Sequence, residues 1–143
     1  MNKKLRQQVY EKFGGKCAYT GLPLPEDWQV DHMTSKIQHE WTTYYRHGDL
    51  DTIKKELKTV DNIDNLVPTL RIVNHYKRSL DLEGFRRYML LFHKRLAKLP
   101  KNTSVQRTKE RKIYMYKIAE VFGISPEKPF NGKFYFEKIL EFH

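Results

Sequence analysis

The chain has 143 residues, with 27 Lys and Arg against 17 Asp and Glu, and a formal net charge of +10 at neutral pH. This length suits one domain over residues 1–143, and the positive charge favours a polyanionic partner such as nucleic acid. The single cysteine, Cys17, excludes an intrachain disulfide and a zinc cluster built on cysteine pairs. No stretch approaches the ~18 apolar residues of a membrane span and no apolar run follows the first charges, so we expect a cytoplasmic protein without a membrane partner.

The first part of the chain predicts a helix followed by a β-hairpin. Apolar residues four positions apart indicate an amphipathic helix over Lys4–Phe13, which a pair of glycines ends. Lys16–Thr20 and Trp28–His32 are typical of two short strands, and the Gly- and Pro-rich connection between them is typical of a turn. We therefore expect Asp31 and His32 at the end of the second strand of a hairpin.

A polar insertion and a short helix follow the predicted hairpin. Residues 33–61 have helical spacing, and we expect this insertion either to cover a site or to contact a substrate. The next helix is expected to begin between Thr69 and Arg71. It carries Asn74, Lys77 and Arg78, which lie three and four positions apart and therefore share a face. An amide and two cations on one face are suited to bind one phosphate.

The remainder, residues 81–143, is predicted to be a basic helical extension. One helix begins at an Asp81 cap and continues to about Leu96, and another covers Val105–Phe122. Cations greatly outnumber acids between residues 86 and 117, which is typical either of a solvated face or of a surface that binds a nucleic-acid backbone. The aromatic residues of this extension either stack on bases or fill the core.

Three side chains suit the hydrolysis of a phosphodiester. The reaction needs a base that deprotonates water and positive charge that neutralises the oxyanion as it forms. Histidine is largely neutral at pH 7 and can accept a proton, so His32 is the candidate base. Asp31 offers a carboxylate oxygen and Asn74 an amide oxygen, which are ligands that suit Mg²⁺ or Mn²⁺. Because strand side chains alternate, Asp31 and His32 are expected to face opposite ways, with Asn65 as the natural anchor of the backbone.

Three runs of sequence together resemble the HNH endonuclease family. They are Trp28–His32 (WQVDH), Asp64–Pro68 (DNLVP) and Asn74–Lys77 (NHYK), in this order along the chain. The resemblance implies an α+β fold in which a ββα-metal core, the hairpin and helix of about residues 16–78, is embedded in a mostly helical domain. It also implies a metal-dependent endonuclease that hydrolyses double-stranded DNA and leaves 3′-hydroxyl and 5′-phosphate ends.

The resemblance assigns roles residue by residue. His32 becomes the general base, and Asn65 becomes the residue that orients the loop around it. Asp31 and Asn74 become the ligands of one divalent cation, Mg²⁺ or Mn²⁺. Lys77 stands where the family commonly has a basic residue near the phosphate.

Two neighbouring residues complete the candidate site. Arg78 is expected to help position the nucleic-acid backbone together with Lys77. His75 is either a phosphate contact, which we favour, or a further metal ligand that adds to or replaces Asn74.

The chain departs from the family at the positions of a structural zinc. Many small HNH proteins bind zinc through two Cys-x-x-Cys pairs, and the matching runs here, Cys17–Thr20 and Leu70–Val73, retain only Cys17. We therefore expect no structural zinc and, in its place, apolar packing of Leu70 and Val73.

Two further functions fit the same sequence. One is a non-catalytic, basic nucleic-acid-binding module, and the other is a phage-type packaging or assembly factor. Salt-sensitive binding without metal-dependent cleavage would distinguish either of them from a nuclease. A single site would nick one strand, whereas a twofold homodimer would cut both.

Overall fold

The computed structural model describes residues 1–33 and 62–140, where helices are combined with one two-stranded antiparallel sheet. The strands are β1, Gln29–His32, and β2, Leu66–Thr69, and a 3-10 helix over Ile63–Asn65 leads into β2. The helices are α1 (Lys3–Glu11), α2 (Arg71–Lys77), α3 (Leu82–Leu90), α4 (Phe92–Ala97), α5 (Gln106–Phe122) and α6 (Tyr135–Leu140). This mixture agrees with the predicted α+β class. The predicted insertion lies outside the described residues except for Met33.

The two strands are neighbours in space although the insertion separates them in sequence. Their antiparallel register sets Gln29 opposite Thr69 and His32 opposite Leu66. Helix α2 begins shortly after β2 ends. The order is therefore strand, strand, helix, with the insertion between the two strands.

The predicted hairpin is wrong because its first strand does not form. Lys16–Thr20 contains only an isolated bridge from Lys16 to Pro23. Gly21, with φ of +76°, turns the chain back so that its amide donates to the Cys17 carbonyl at 2.8 Å. The Ala18 amide donates to the Pro68 carbonyl of β2 at 2.9 Å, and β1 pairs with β2 instead of with this segment.

Helix α1 forms where it was predicted and packs beside the sheet. The side chain of Asn2 caps the helix by accepting a hydrogen bond from the Leu5 amide at 2.7 Å. Val9 is buried in a cluster with Trp28 and Leu66, so one side of the strand pair is covered by α1.

A larger core joins β2 and α2 to the helical extension. Its fully buried members include Val67, Val73, Phe85 and Phe134, each of which contributes about 1.5–3 kcal/mol by leaving water. The rings of Phe85 and Phe134 stack with centroids 5.4 Å apart. Phe134 is therefore a core residue and not a base-stacking one.

The helix predicted from Asp81 to Leu96 is two helices, α3 and α4, with a break at Leu91. The Asp81 carboxylate caps α3 by accepting from the Gly84 amide at 2.7 Å, as predicted. The guanidinium of Arg95 donates to the Tyr88 carbonyl at 2.8 Å. In an unbroken helix this carbonyl would instead accept from the backbone amide four residues further along. Helix α5 ends at Phe122, as predicted, and the next residue, Gly123, has the left-handed conformation that closes it.

Candidate functional site

The contact between β1 and α2 brings several of the predicted site residues to one place. Gln29 and Asp31 share a face of β1 because strand side chains alternate, and Asn74 and Lys77 share a face of α2 because they are three residues apart. Asn74 Nδ2 donates to Gln29 Oε1 at 2.8 Å. Lys77 Nζ lies 3.1 Å from Asp31 Oδ2. Two polar contacts side by side therefore dock the helix on the strand.

The Asp31 carboxylate is buried and has two partners. Only 5% of the residue is exposed, and Oδ2 accepts a hydrogen bond of 2.6 Å from the Tyr19 hydroxyl. Burial raises the pKa of Asp31, although the Lys77 ammonium and the Tyr19 hydroxyl act in the opposite direction. Burial, together with the charge of Asp31, also raises the pKa of Tyr19 well above its ordinary value, so the phenol remains a donor. Asp31 is thus held inside the protein by an ammonium and a phenol.

The expectation that Lys77 contacts a phosphate together with Arg78, from the helix face it shares with Asn74, does not fit the buried position of Lys77. Lys77 has no exposed surface, and its ammonium also donates to the His32 carbonyl at 3.1 Å. The physical reason is that the last turn of α2 packs on β1, which directs Lys77 towards the strand. Lys77 is therefore an internal cation in this structure and not a phosphate contact.

This pairing bears directly on whether Asp31 fits a divalent cation. A carboxylate and the Asn74 amide are suitable donor types for Mg²⁺ or Mn²⁺. The Lys77 ammonium, however, already takes both oxygens of Asp31, at 3.1 and 3.4 Å. Within residues 1–33 and 62–140, His, Cys, Asp and Glu side chains do not form a group of three or more that could hold a metal ion. As folded here, Asp31 does not fit a divalent cation unless Lys77 is displaced.

His32 and Asn65 lie at the same end of the sheet. His32 is the last residue of β1 and is partly exposed, and it is paired with Leu66, the residue that follows Asn65. The Asn65 carbonyl accepts from the Met33 amide at 2.9 Å. The backbone of Asn65 thus holds the chain directly after His32, while the predicted role of its amide side chain stays a prediction.

An open cleft of about 760 Å³ lies beside this junction and contains the other predicted residues. Asn74, His75 and Arg78 line it, and the ring of His75 meets that of Tyr114 edge-on with centroids 5.9 Å apart. Its remaining lining residues come from β1, the residues before it, and α2: Asp27, Gln29, Arg71 and Ile72. Two arginines and a histidine give the cleft a basic wall suited to a phosphate. Asp31, His32, Asn65 and Lys77 are not among its lining residues.

Arg78 occupies an unusual backbone conformation at the end of α2. Its φ of 56° makes it the one residue other than glycine with positive φ in the described part of the chain. Such a conformation costs a residue with a side chain about 1–3 kcal/mol. The Arg78 amide still donates the last hydrogen bond of the helix, to the Asn74 carbonyl at 3.1 Å. The strained residue therefore lies at the end of α2, beside the cleft.

Several residues contribute to this site although the sequence analysis did not assign them to it. Gln29 could have been found, because it lies two residues before Asp31 and so shares its strand face. Tyr19 reaches the site through the tertiary fold, and no local pattern marks it. Tyr114 is one of the aromatic residues of the extension predicted either to stack on bases or to fill the core, and only the tertiary fold places it beside His75. For Arg71 the sequence indicates only the start of a helix.

The predicted apolar packing of Leu70 and Val73 is confirmed at the level of contacts, whereas the expectation of no structural zinc stays a prediction. Cys17 and Val73 are fully buried members of the larger core, and Leu70 packs against it. The Cys17 thiol lies 3.7 Å from the Thr69 hydroxyl. Core burial joins these two segments.

The basic extension has both structural and exposed cations. Arg86 donates to the Glu137 carboxylate at 2.6 Å and ties α3 to α6. Arg95 lies over the ring of Tyr88, 3.8 Å from its centroid. The exposed cations between residues 86 and 117 are Arg87, Lys94, Lys98, Lys101, Arg107, Lys109, Arg111 and Lys117. Most of the predicted basic surface is therefore accessible to a polyanion.

Comparison with known proteins finds no family model, curated protein or solved structure that matches this chain. Of the helices in the described ranges, none is both long enough and apolar enough to cross a membrane.

Proposed function

We propose that this protein is a metal-dependent endonuclease of the HNH type that hydrolyses phosphodiester bonds of double-stranded DNA. The observation that carries the proposal is the docking of α2 on β1, which joins the strand of Asp31 and His32 to the helix of Asn74. Asn65 supports the proposal because its carbonyl holds the residue after His32. The strand, strand, helix order is the arrangement that a ββα-metal core requires.

The proposed chemistry is assigned to the chain's own residues. His32 is partly exposed at the end of β1, where its imidazole would take a proton from the attacking water. Arg71 and Arg78 on the cleft wall would hold phosphate oxygens. The requirement for Mg²⁺ or Mn²⁺ enters the proposal through the family resemblance alone, and no step is assigned to the ion.

The proposed partner is DNA in the cytoplasm, attracted by charge. A net charge of +10 and the exposed cations of α4 and α5 would release counterions from the DNA backbone. One site would nick one strand, and a twofold homodimer would present two sites and cut both.

The proposal is tested by incubating supercoiled plasmid with the full chain in Mg²⁺, in Mn²⁺ and in EDTA. We expect metal-dependent nicking by the native chain, and none by His32→Ala or Asn74→Ala. Circular dichroism and plasmid binding of each variant serve as controls for folding and for access to DNA. Nicking by His32→Ala at the native rate, or nicking in EDTA, would contradict the proposal.

A second function, a non-catalytic nucleic-acid-binding module, is favoured by one observation. The Asp31 carboxylate is committed to Lys77 and Tyr19, an arrangement that stabilises a fold without needing a metal. This function predicts DNA binding that weakens with salt, with no nicking in any of the three conditions.

A further inference from the structure

The Lys77 ammonium is surrounded by oxygen atoms of β1 in the manner of a bound cation. Asp31 Oδ2 lies 3.1 Å from Nζ, Asp31 Oδ1 lies 3.4 Å away, and the His32 carbonyl oxygen lies 3.1 Å away. All of the Lys77 side chain is withdrawn from solvent, and the Asp31 side chain is 7% exposed. The carboxylate charge is therefore already balanced within the fold.

We propose that Lys77 is a built-in cation that occupies the position at Asp31 which a divalent metal would otherwise take, and that it lowers the affinity of this carboxylate for Mg²⁺ and Mn²⁺. The proposal rests on the proposed function in taking Asp31 as the metal ligand. Under this proposal, Lys77 sets the concentration of Mg²⁺ or Mn²⁺ that is needed to fill the site.

The physical basis is competition between like charges for one carboxylate. A divalent ion bound to Asp31 would lie within a few ångströms of the ammonium, where repulsion is strong in a poorly solvated site. Loss of the ammonium alone would leave a buried, unbalanced carboxylate, which is costly to the fold. A metal ion that binds there would remove this cost, so metal binding and stability become linked.

Two substitutions of Lys77 separate charge from hydrogen bonding. Lys77→Met keeps an unbranched side chain of similar reach and removes the charge. Lys77→Gln removes the charge but keeps an N–H donor for Asp31, and it therefore remains available if the methionine variant does not fold. Lys77→Arg keeps the charge and is the matched control. The double variant Asp31→Asn/Lys77→Gln removes the carboxylate as well.

The experiment measures Mn²⁺ binding to the full chain without DNA, from the electron paramagnetic resonance signal of free Mn²⁺. Thermal unfolding with and without Mn²⁺ is a second readout. We expect Lys77→Gln to bind Mn²⁺ at least about tenfold more tightly than the native chain, with a Tm that rises with Mn²⁺. Lys77→Arg should behave like the native chain, and the double variant should lose the gain.

The outcomes distinguish this proposal from the proposed function. Folded Lys77→Gln and Lys77→Met that bind Mn²⁺ no more tightly than the native chain would overturn the role of Lys77, even if the native chain nicks plasmid. A gain that persists in the double variant would also overturn it, because the ion would then not be bound to Asp31. A gain that depends on Asp31, in a protein whose native chain never nicks DNA, would support the role of Lys77 and reject the nuclease.

Discussion

The Tyr19 hydroxyl donates a hydrogen bond of 2.6 Å to Asp31 Oδ2, and both residues are buried. Tyr19 belongs to the segment before β1, whereas Lys77 approaches the same carboxylate from α2. The Asp31 carboxylate therefore links β1 to two other parts of the chain, and its surroundings are part of the folding energetics as well as of the candidate site.

Replacing Tyr19 with Phe should destabilise the protein. The substitution keeps the ring, which packs edge-on against Phe85 and Phe134, and removes one donor from a buried carboxylate. We expect the free energy of unfolding to fall by about 1–3 kcal/mol in urea denaturation. Tyr116→Phe, at a tyrosine that is 51% exposed, is the control and should change it by less than about 0.5 kcal/mol. Equal stability of Tyr19→Phe and the native chain would contradict the assigned hydrogen bond.

From the backbone conformation of Arg78 we expect its glycine variant to be more stable than its alanine variant. Its φ of 56° is a conformation that glycine adopts at lower cost than alanine. We therefore expect Arg78→Gly to be more stable than Arg78→Ala by about 1 kcal/mol in chemical denaturation. Both variants lack the guanidinium and should bind DNA equally weakly. An alanine variant at least as stable as the glycine variant would show that the backbone here is not strained.

The Arg86–Glu137 pair predicts a loss of stability in acid. Burial opposes the ionisation of Glu137, but the hydrogen bonds from Arg86 and the Phe134 amide, with the charges of Arg86 and Lys133, together outweigh it, so the pKa of Glu137 lies below its ordinary value of 4.5. The unfolded state therefore binds the proton more readily. The stabilisation is present above the ordinary pKa and is lost as the pH falls through the lowered folded pKa. Thermal unfolding from pH 6 to pH 2 measures it.

The control for this pH dependence is Glu137→Gln. This variant should be less stable than the native chain at pH 6, and the difference should shrink as the pH falls, because the native carboxylate becomes neutral as well. A difference that stays constant from pH 6 to pH 2 would contradict the ionic contribution of the pair.

Arg71 offers a test of the cleft as the binding surface for DNA. It is exposed on the cleft wall, and a side chain that contacts phosphate releases counterions. Arg71→Ala should weaken DNA binding and reduce the slope of log K against log[salt] by about 1. Lys3→Ala, at an exposed position on α1, is the charge-matched control and should leave the slope unchanged. Identical slopes for Arg71→Ala and the native chain would place the bound backbone elsewhere.

The parts of the fold that could be predicted from sequence are those that local physics determines. Helix α1 follows from its apolar spacing, and the end of α5 follows from Gly123, whose φ is +69°. The cap of α3 follows from Asp81 for the same kind of reason. The break between α3 and α4 could not be predicted from the sequence, because it coincides with a side-chain contact from Arg95 to the Tyr88 carbonyl.

The pairing of β1 could not be read from the chain. A strand is usually assigned to its nearest neighbour in sequence, but β1 pairs across the insertion with β2. The predicted phosphate contact of Lys77 fails for a related reason. Helical spacing tells which residues share a face of the helix, but not which face packs on the strand. For Asn74, His75 and Arg78, sequence placed the side chains on one helix, and the structure places them on one cleft.

The proposed nuclease depends most on His32 as the acceptor of the proton from water. The direct measurement is the rate of plasmid nicking by His32→Ala in Mn²⁺, with and without added imidazole, beside the native chain. We predict a loss of at least about 100-fold, partly restored by imidazole in proportion to its concentration, with no effect of imidazole on the native rate. A His32→Ala variant that nicks as fast as the native chain would contradict the role of His32 as the general base.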